Sequence, residues 1–301
     1  MLKINHIEKG MLVYEALASE TRVNILSLLR EKGSLNFSEI AQALSLTNGN
    51  ITKHLNKLLE AKLISVKLRN TSRGIEKICT LAEEKILIDL FPEEIYEHTY
   101  EFELNAGQYS DCEIQPTCGL ANTKELIGDF DEPKYFTAPA RFSAGILWFT
   151  SGWVEYKFPN PVKMGETIKE IQFSVEVSSE SPGAVTHYPS DISFSLNGKH
   201  LCTFVSPGEF RDRRGIVSPK WWYPEFAQYG RLKIISIDKK CNYLDGNVAG
   251  DVTLEEVLKE NPETLTFRIC VPPDAKNVGG VNIFGKGFGD FNSGIKLRVF
   301  V

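Results

Sequence analysis

The sequence predicts an α+β chain of two domains, helical at the N-terminus and an antiparallel β-sandwich or jelly roll at the C-terminus. Three observations predict it. Up to about residue 90 apolar residues recur mainly at helical spacing, the mark of amphipathic helices. From about residue 141 the apolar runs are short, rich in β-branched and aromatic residues, and several alternate with polar ones, the period of half-buried strands. Asn197-Gly198 stands between two such runs, a strong hairpin signal. There is no βαβ alternation, so a doubly wound effector domain is disfavoured. The expected boundaries are 1–90, a connecting region 91–140 rich in Gly, Pro, Asn and Asp with a strand near 100–104, and 141–301.

Within the first domain, residues 17–29 (LASETRVNILSLL) turn Leu17, Ile25, Leu28 and Leu29 to one side, and Gly33 just beyond is a common helix stop. Residues 37–44 (FSEIAQAL) form a second short helix with Ile40, Ala41 and Leu44 inward. Ser45-Leu46-Thr47 is then a three-residue turn, the spacing of a helix-turn-helix. The next helix lies in 47–63 (TNGNITKHLNKLLEAKL), with Thr47 or Asn48 as N-cap. Its inner face is Ile51, Leu55, Leu58 and Leu59; its outer face carries Gly49, Asn50, Lys53, Asn56 and Lys57 and no carboxylate. Such a face suits a DNA major groove, where Asn reads adenine edges and Lys reaches guanine or phosphate. The plainer reading is a solvated face of a surface helix. Residues 64–68 and 75–80 read as strands joined by the polar turn 69–74 (RNTSRG), a wing whose basic tip reaches phosphate or a minor groove, or else a solvated hairpin tip.

In this order and spacing, ALASETRVNILSLL, FSEIAQALSLTNGNITKHLNKLLEAKLI and the hairpin resemble the winged helix-turn-helix of ArsR-type transcriptional regulators. The resemblance spans about residues 12–90, under a third of the chain. It implies a domain that binds double-stranded operator DNA as a homodimer on a partly palindromic site, with the first and last helices pairing the subunits. The candidate DNA contacts are Asn50, Thr52, Lys53, Asn56 and Lys57 on the recognition face and Arg69 and Arg73 in the wing. Residues 81–90 (LAEEKILIDL), ending at Phe91-Pro92, read as an amphipathic helix, either the implied dimerisation helix or a bridge. Metal-sensing members carry paired cysteines on the helix corresponding to 37–44; this chain has none there, so that route is not expected.

Charge is distributed to match. The whole chain is at −5, yet residues 47–77 hold seven basic residues against two acidic. Residues 1–90 carry thirteen basic against ten acidic, which leaves −8 for the rest. A basic patch on an acidic protein is a localised DNA footprint. No apolar run approaches the roughly 20 residues of a membrane span, and MLKINHIEKG lacks the apolar core of a signal peptide. The expectation is a cytoplasmic protein without membrane contact. The six cysteines are scattered without a C-x-x-C, and the closest pair, Cys112 and Cys118, has no histidine nearby, so they read as reduced thiols, with no metal and no cofactor expected.

In the second domain nine runs read as strands: 146–149, 154–158, 171–177, 192–196, 201–205, 232–237, 264–271, 281–284 and 295–301. Thr253 and Glu256 form a capping box for one short helix. Residues 285–290 (GKGFGD) lack the Lys-Ser/Thr of a phosphate loop and read as a hairpin connection. All four tryptophans fall in this domain, and Trp221-Trp222-Tyr223 sits between Pro219 and Pro224. Neighbours on an extended chain face opposite ways, so at least one of these rings falls outside a simple core position. Exposed rings on a sandwich stack on flat sugar faces, and Arg211 and Arg213 add fork donors. Trp153, Arg211, Arg213, Trp221, Trp222 and Tyr223 are therefore the candidate ligand residues. The alternative is that the rings close the sandwich ends and the arginines pair with local acids. No G-x-S-x-G, H-E-x-x-H or Cys–His pairing appears, so no catalytic residue is assigned and the chain does not read as an enzyme.

The sequence thus points to a ligand-responsive DNA-binding regulator whose C-terminal sandwich senses a small sugar or glycoside. The runner-up makes the sandwich a protein-interaction or oligomerisation module. A glycan-processing enzyme fused to a DNA-binding domain ranks below both.

Overall fold

A computed structural model describes residues 2–4, 7–71, 74–83, 85–88, 98–180, 187–259 and 262–301. The chain divides into two compact units, Met1–Ile95 and Tyr96–Val301.

Among the described residues the first unit has four α-helices, α1 (Met11–Leu17), α2 (Glu20–Lys32), α3 (Phe37–Ala43) and α4 (Asn48–Glu60). Its strands are β1 (Leu2–Ile4), β2 (Ser34–Asn36), β3 (Ile64–Thr71), β4 (Gly74–Leu81) and β5 (Ile86–Ile88). The helix expected over 17–29 starts late, because α1 ends at Leu17 and Ser19 is extended. Arg22 supplies the reason: its guanidinium donates to the Glu15 and Ala16 carbonyls at 2.6 and 2.7 Å, taking up the free acceptors at the end of α1. The helix α3 begins on a full capping box between Asn36 and Glu39, a feature worth about 1 kcal/mol. Thr47 caps α4, its hydroxyl accepting from Asn50 N. Ile25, Leu29, Ile40, Ala41, Ile51, Leu55 and Leu58 form the core, whereas Leu59, expected inward, is 43 % exposed. The hairpin is longer than predicted, with register running to Thr71 opposite Gly74, and β2 adds a third strand on β4. Residues 81–90 depart from the predicted helix. Leu81 ends β4, and Ile86–Ile88 form a strand parallel to β1. Residues 84, 89 and 90 lie outside the described ones.

The second unit is built from β6 (Thr99–Leu104), β7 (Asp111–Ala121), β8 (Ile146–Pro159), β9 (Glu170–Ser178), β10 (Ser190–Leu196) and β11 (Lys199–Ser206), followed by β12 (Arg231–Asp238), β13 (Asn242–Leu244), β14 (Asn247–Gly250), the short helix α5 (Leu254–Val257), β15 (Thr264–Val271), β16 (Val281–Phe284) and β17 (Ile295–Phe300). One layer runs β11-β10-β15-β8-β7, and the other runs β6-β17-β9-β12-β13-β14. All these pairings are antiparallel. The layers face each other through Phe158, Phe194 and Phe267 on one side and Phe173 on the other, with Phe173 and Phe267 stacked at 4.1 Å. At one end β16 pairs with both β8 and β9 and joins the layers.

Two predicted runs, 146–149 and 154–158, are one strand, β8. Gly152 lies between them at φ +114, where a Cβ would sit 1.9 Å from the Glu113 carbonyl oxygen. Only glycine fits that close approach. The kink changes which residues face the core: Leu147 and Phe149 before it, then Val154, Tyr156 and Phe158 after it. Asn197 and Gly198, both at positive φ, make the expected two-residue turn between β10 and β11. Asp245-Gly246 makes a second such turn between β13 and β14 that the strand pattern did not reveal. The stretch read as a connecting region contributes the expected strand, β6, and also β7, which runs alongside β8 from Ile146 to Glu155. Residues 285–290 do not join a hairpin. The strands β16 and β17 lie end to end along the same edge of β9, and the loop leaves and re-enters that line.

Candidate functional site

On α4 the buried residues Ile51, Leu55 and Leu58 fix the roll of the helix. Asn50, Lys53, Asn56 and Lys57 are consequently exposed on its other side, and Thr52 is half-buried. Neither Lys53 nor Lys57 has an ion-pair partner among the described residues. The face is a free cationic and amide surface spanning two turns, the inventory that phosphates and base edges require. In the hairpin, Arg69 lies opposite Glu76 and its Nη2 is 2.8 Å from the carboxylate. An exposed pair of this kind contributes about 0–1 kcal/mol, so its guanidinium exchanges cheaply to a phosphate. Arg73 lies outside the described residues.

The candidate ligand residues do not form one platform. Trp222 is 1 % exposed and donates from Nε1 to the Ala227 carbonyl at 2.9 Å. It packs with Trp148, Phe226 and Phe288 in a second apolar cluster, on the face of the joined layers turned away from the main core. Trp222 is thus a core residue and not a ligand platform. Arg213 is likewise committed: it grips Asp290 through two parallel bonds of 2.9 and 2.6 Å and stacks 3.8 Å from the Tyr229 ring centroid. Asp290 in turn accepts from Ile216 N, so Arg213 ties the 207–230 loop to the 285–294 loop. Trp221 is half-buried and bonds Thr123 O at 2.8 Å, Tyr223 is 40 % exposed, and Arg211 donates to Glu225 O at 3.0 Å. Trp153 stands on the outer face of β8, five residues along the strand from Trp148, under the Arg268 guanidinium at 3.9 Å and bonded to Glu113. The aromatic run closes a sandwich face and the arginine pairs with a local acid, which is the alternative the sequence left open.

Sequence reasoning missed the buried carboxylates Glu176, Glu180 and Glu209. Glu176 on β9 sits where β16 gives way to β17, and accepts from Gly230 N, Asp290 N and Phe291 N. Burial and the Asp290 charge outweigh those donors and push it up to about 8. Glu180 and Glu209 are pushed up by burial to about 7 and about 8. A glutamate in an alternating strand or a loop looks solvated in sequence; only the returning loops bury these. Among the described residues no group of three or more His, Cys, Asp or Glu is arranged to hold a metal ion, and no helix is long and apolar enough to cross a membrane.

Several solved structures share features of the chain. The CBM36-1 domain of a multidomain xylanase from the hindgut metagenome of Trinervitermes trinervoides is 10% identical, with TM-score 0.30, over 66% of this chain and 96% of that one. A carbohydrate-binding module CBM36 in complex with calcium and xylotriose is 8% identical, with TM-score 0.27, over 68% and 99%. The insecticidal delta-endotoxin Cry8Ea1 from Bacillus thuringiensis is 10% identical, with TM-score 0.31, over 81% and 31%. At such values these likenesses assign no ligand to this chain. No curated protein matches it. Residues 19–66, which run from the N-cap of α2 into β3, match the model of the bacterial regulatory proteins of the arsR family.

Proposed function

We propose that the chain is a DNA-binding transcriptional regulator whose second unit binds a small effector, a sugar or glycoside, and that it acts as a homodimer on operator DNA. One observation carries the DNA-binding part: the family match contains α4, and α4 presents Asn50, Lys53, Asn56 and Lys57 outward with no carboxylate among them. The dimer rests on symmetry, since one winged helix reads only a short half-site. The effector part rests on a sandwich face closed by loops that carry exposed rings at Phe130 and Tyr223, the buried carboxyl of Glu209 and the guanidinium of Arg211. Coupling between the two sites is reciprocal: a sugar that changes DNA affinity by a given factor has its own affinity changed by that factor on DNA.

The test is a thermal-shift and DNA-binding series on the full chain. A duplex selected from random sequence by the protein is titrated with and without mono- and disaccharides at millimolar concentration. The reading expects one sugar to raise the melting temperature and to shift duplex affinity at least threefold. If the duplex binds but no sugar acts on either readout, the sensor part fails and the interaction-module alternative replaces it.

A further inference from the structure

Glu180 and Glu209 belong to a ring of neighbouring groups at the end of the sandwich where β16 joins the layers. Thr117 on β7 donates to Glu180 Oε2 at 2.8 Å and shares a hydroxyl contact with Thr150 of β8 at 3.1 Å. The next residue, Cys118, exchanges two bonds with Asp131, N to Oδ1 and O from N, both 2.9 Å. Phe130, one residue before Asp131, meets Phe226 edge to face at 5.6 Å. Ala227, the next residue after Phe226, donates from its backbone to Glu209, which lies near enough to Glu180 to be raised by it. Trp148 lies beneath, in contact with both Phe130 and Phe226. Half of the ring is aromatic and half is carboxylate and hydroxyl.

The polar half is incomplete. Glu209 is 7 % exposed, yet its Oε2 has no hydrogen-bond partner; Arg211 Nη1 is 3.8 Å away, an ion pair too long to be a hydrogen bond. Ser190 Oγ and Gln228 Oε1 are also buried and unpartnered. Both adjoin the same segment: Ser190 is opposite Ser206 in the β10–β11 register, and Gln228 N bonds Phe210 O. These three are the buried, unpartnered side-chain atoms of the second unit among the described residues. Orphaned buried polar atoms are costly and rare, and each calls for a partner. The free groups are one carboxyl, one hydroxyl and one amide oxygen; the hydroxyl, and the carboxyl that burial pushes up to about 8, can each donate as well as accept. The missing partner therefore both donates and accepts, as a hydroxyl does. A bare cation is disfavoured because no three acids, cysteines or histidines converge with metal-holding geometry among the described residues.

We propose that this ring seats a saccharide, with hydroxyls hydrogen-bonded to Glu180 and Glu209 and a C–H face against Phe130 and Phe226. The proposal rests on the effector reading above and moves the seat from the Trp221–Tyr223 run to these residues. A neutral ligand fits glutamates whose burial already favours the uncharged form.

The test is calorimetry on the full chain with glucose, galactose, mannose, xylose and their β-1,4 or α-1,4 disaccharides, each to 20 mM (roughly the millimolar range of weak binding). One or more should bind, and Glu209→Gln and Thr117→Val should each weaken that binding at least tenfold while the melting temperature is retained. If Glu209→Gln does not fold, Thr117→Val and Glu180→Gln carry the comparison. No binding by any sugar overturns the seat, as does binding within twofold of wild type in the folded variants. Stabilisation by calcium chloride alone, reversed by a chelator, also overturns it in favour of a cation site. The duplex readout separates this from the regulator reading. A sugar that binds through Glu209 and leaves DNA affinity unmoved keeps the seat and removes the sensor. A sugar that shifts DNA affinity equally in wild type and Glu209→Gln keeps the sensor and removes the seat.

Discussion

The Trp222 indole lies against that of Trp148, ring centroids 5.9 Å apart and planes 60° from parallel, with Phe288 on it at 5.1 Å. Three adjacent aromatic residues therefore have three different tasks: Trp222 fills a core, Trp221 braces Thr123, and Tyr223 faces solvent. Truncating a buried tryptophan removes its transfer energy and leaves a cavity. Trp222→Ala should destabilise the second unit by about 3–5 kcal/mol, and Tyr223→Ala by about 1 kcal/mol or less. Urea unfolding followed by tryptophan fluorescence checks this; equal effects of the two changes would return Trp222 to the surface.

The Arg213–Asp290 fork should be specific to arginine. Lysine keeps the charge but not the second bond. Arg213→Lys is expected to cost about 1–2 kcal/mol, and a double-mutant cycle with Asp290→Asn to show a coupling of about 1–3 kcal/mol. Independent, additive effects in that cycle would mean the two loops are held by other contacts.

Burial of Glu176 makes stability pH-dependent in a defined direction. Its native pKa, about 8, lies above the ordinary carboxylate value of 4.5. The native state thus holds a proton that the unfolded chain has released, and the stabilisation is present below the unfolded value and lost as pH rises through the native one. Between pH 4.5 and 8 the second unit should lose up to about 1.4 kcal/mol per pH unit for each such group. Glu176→Gln cannot titrate and should flatten that slope in urea melts at pH 5, 6, 7 and 8. A slope unchanged by the substitution would show that Glu176 is ionised in the native state.

What could be read from the sequence was local. The turn at Asn197-Gly198, the capping box at Thr253 and Glu256, and the inner face Ile51, Leu55 and Leu58 each depend on residues a few positions apart, and each stands in the structure. What could not be read was set by distant partners. The helix α1 stops at Leu17 because Arg22 folds back on it, and Ile86–Ile88 are a strand because β1 lies beside them. Hydrophobic period alone makes 81–90 a helix; the parallel pairing overrides it. The aromatic run misled for the same reason, since what covers Trp222 is Trp148, Phe226 and Phe288 from other parts of the chain. Glu180 and Glu209 carry no sequence signature at all, because their burial is made by loops that converge only in three dimensions.

The most direct measurement is the salt dependence of duplex affinity for the full chain and for a Lys53→Ala, Lys57→Ala double variant, by fluorescence anisotropy on a duplex selected by the wild-type protein. Each lost phosphate contact removes about 0.9 from the slope of log affinity against log salt on B-form DNA. The expected result is weaker binding in the folded double variant, with a slope shallower by about 1–2 per subunit bound. Wild-type affinity and slope in that variant, with its helical content intact, would contradict the assignment of α4 as the DNA-reading helix.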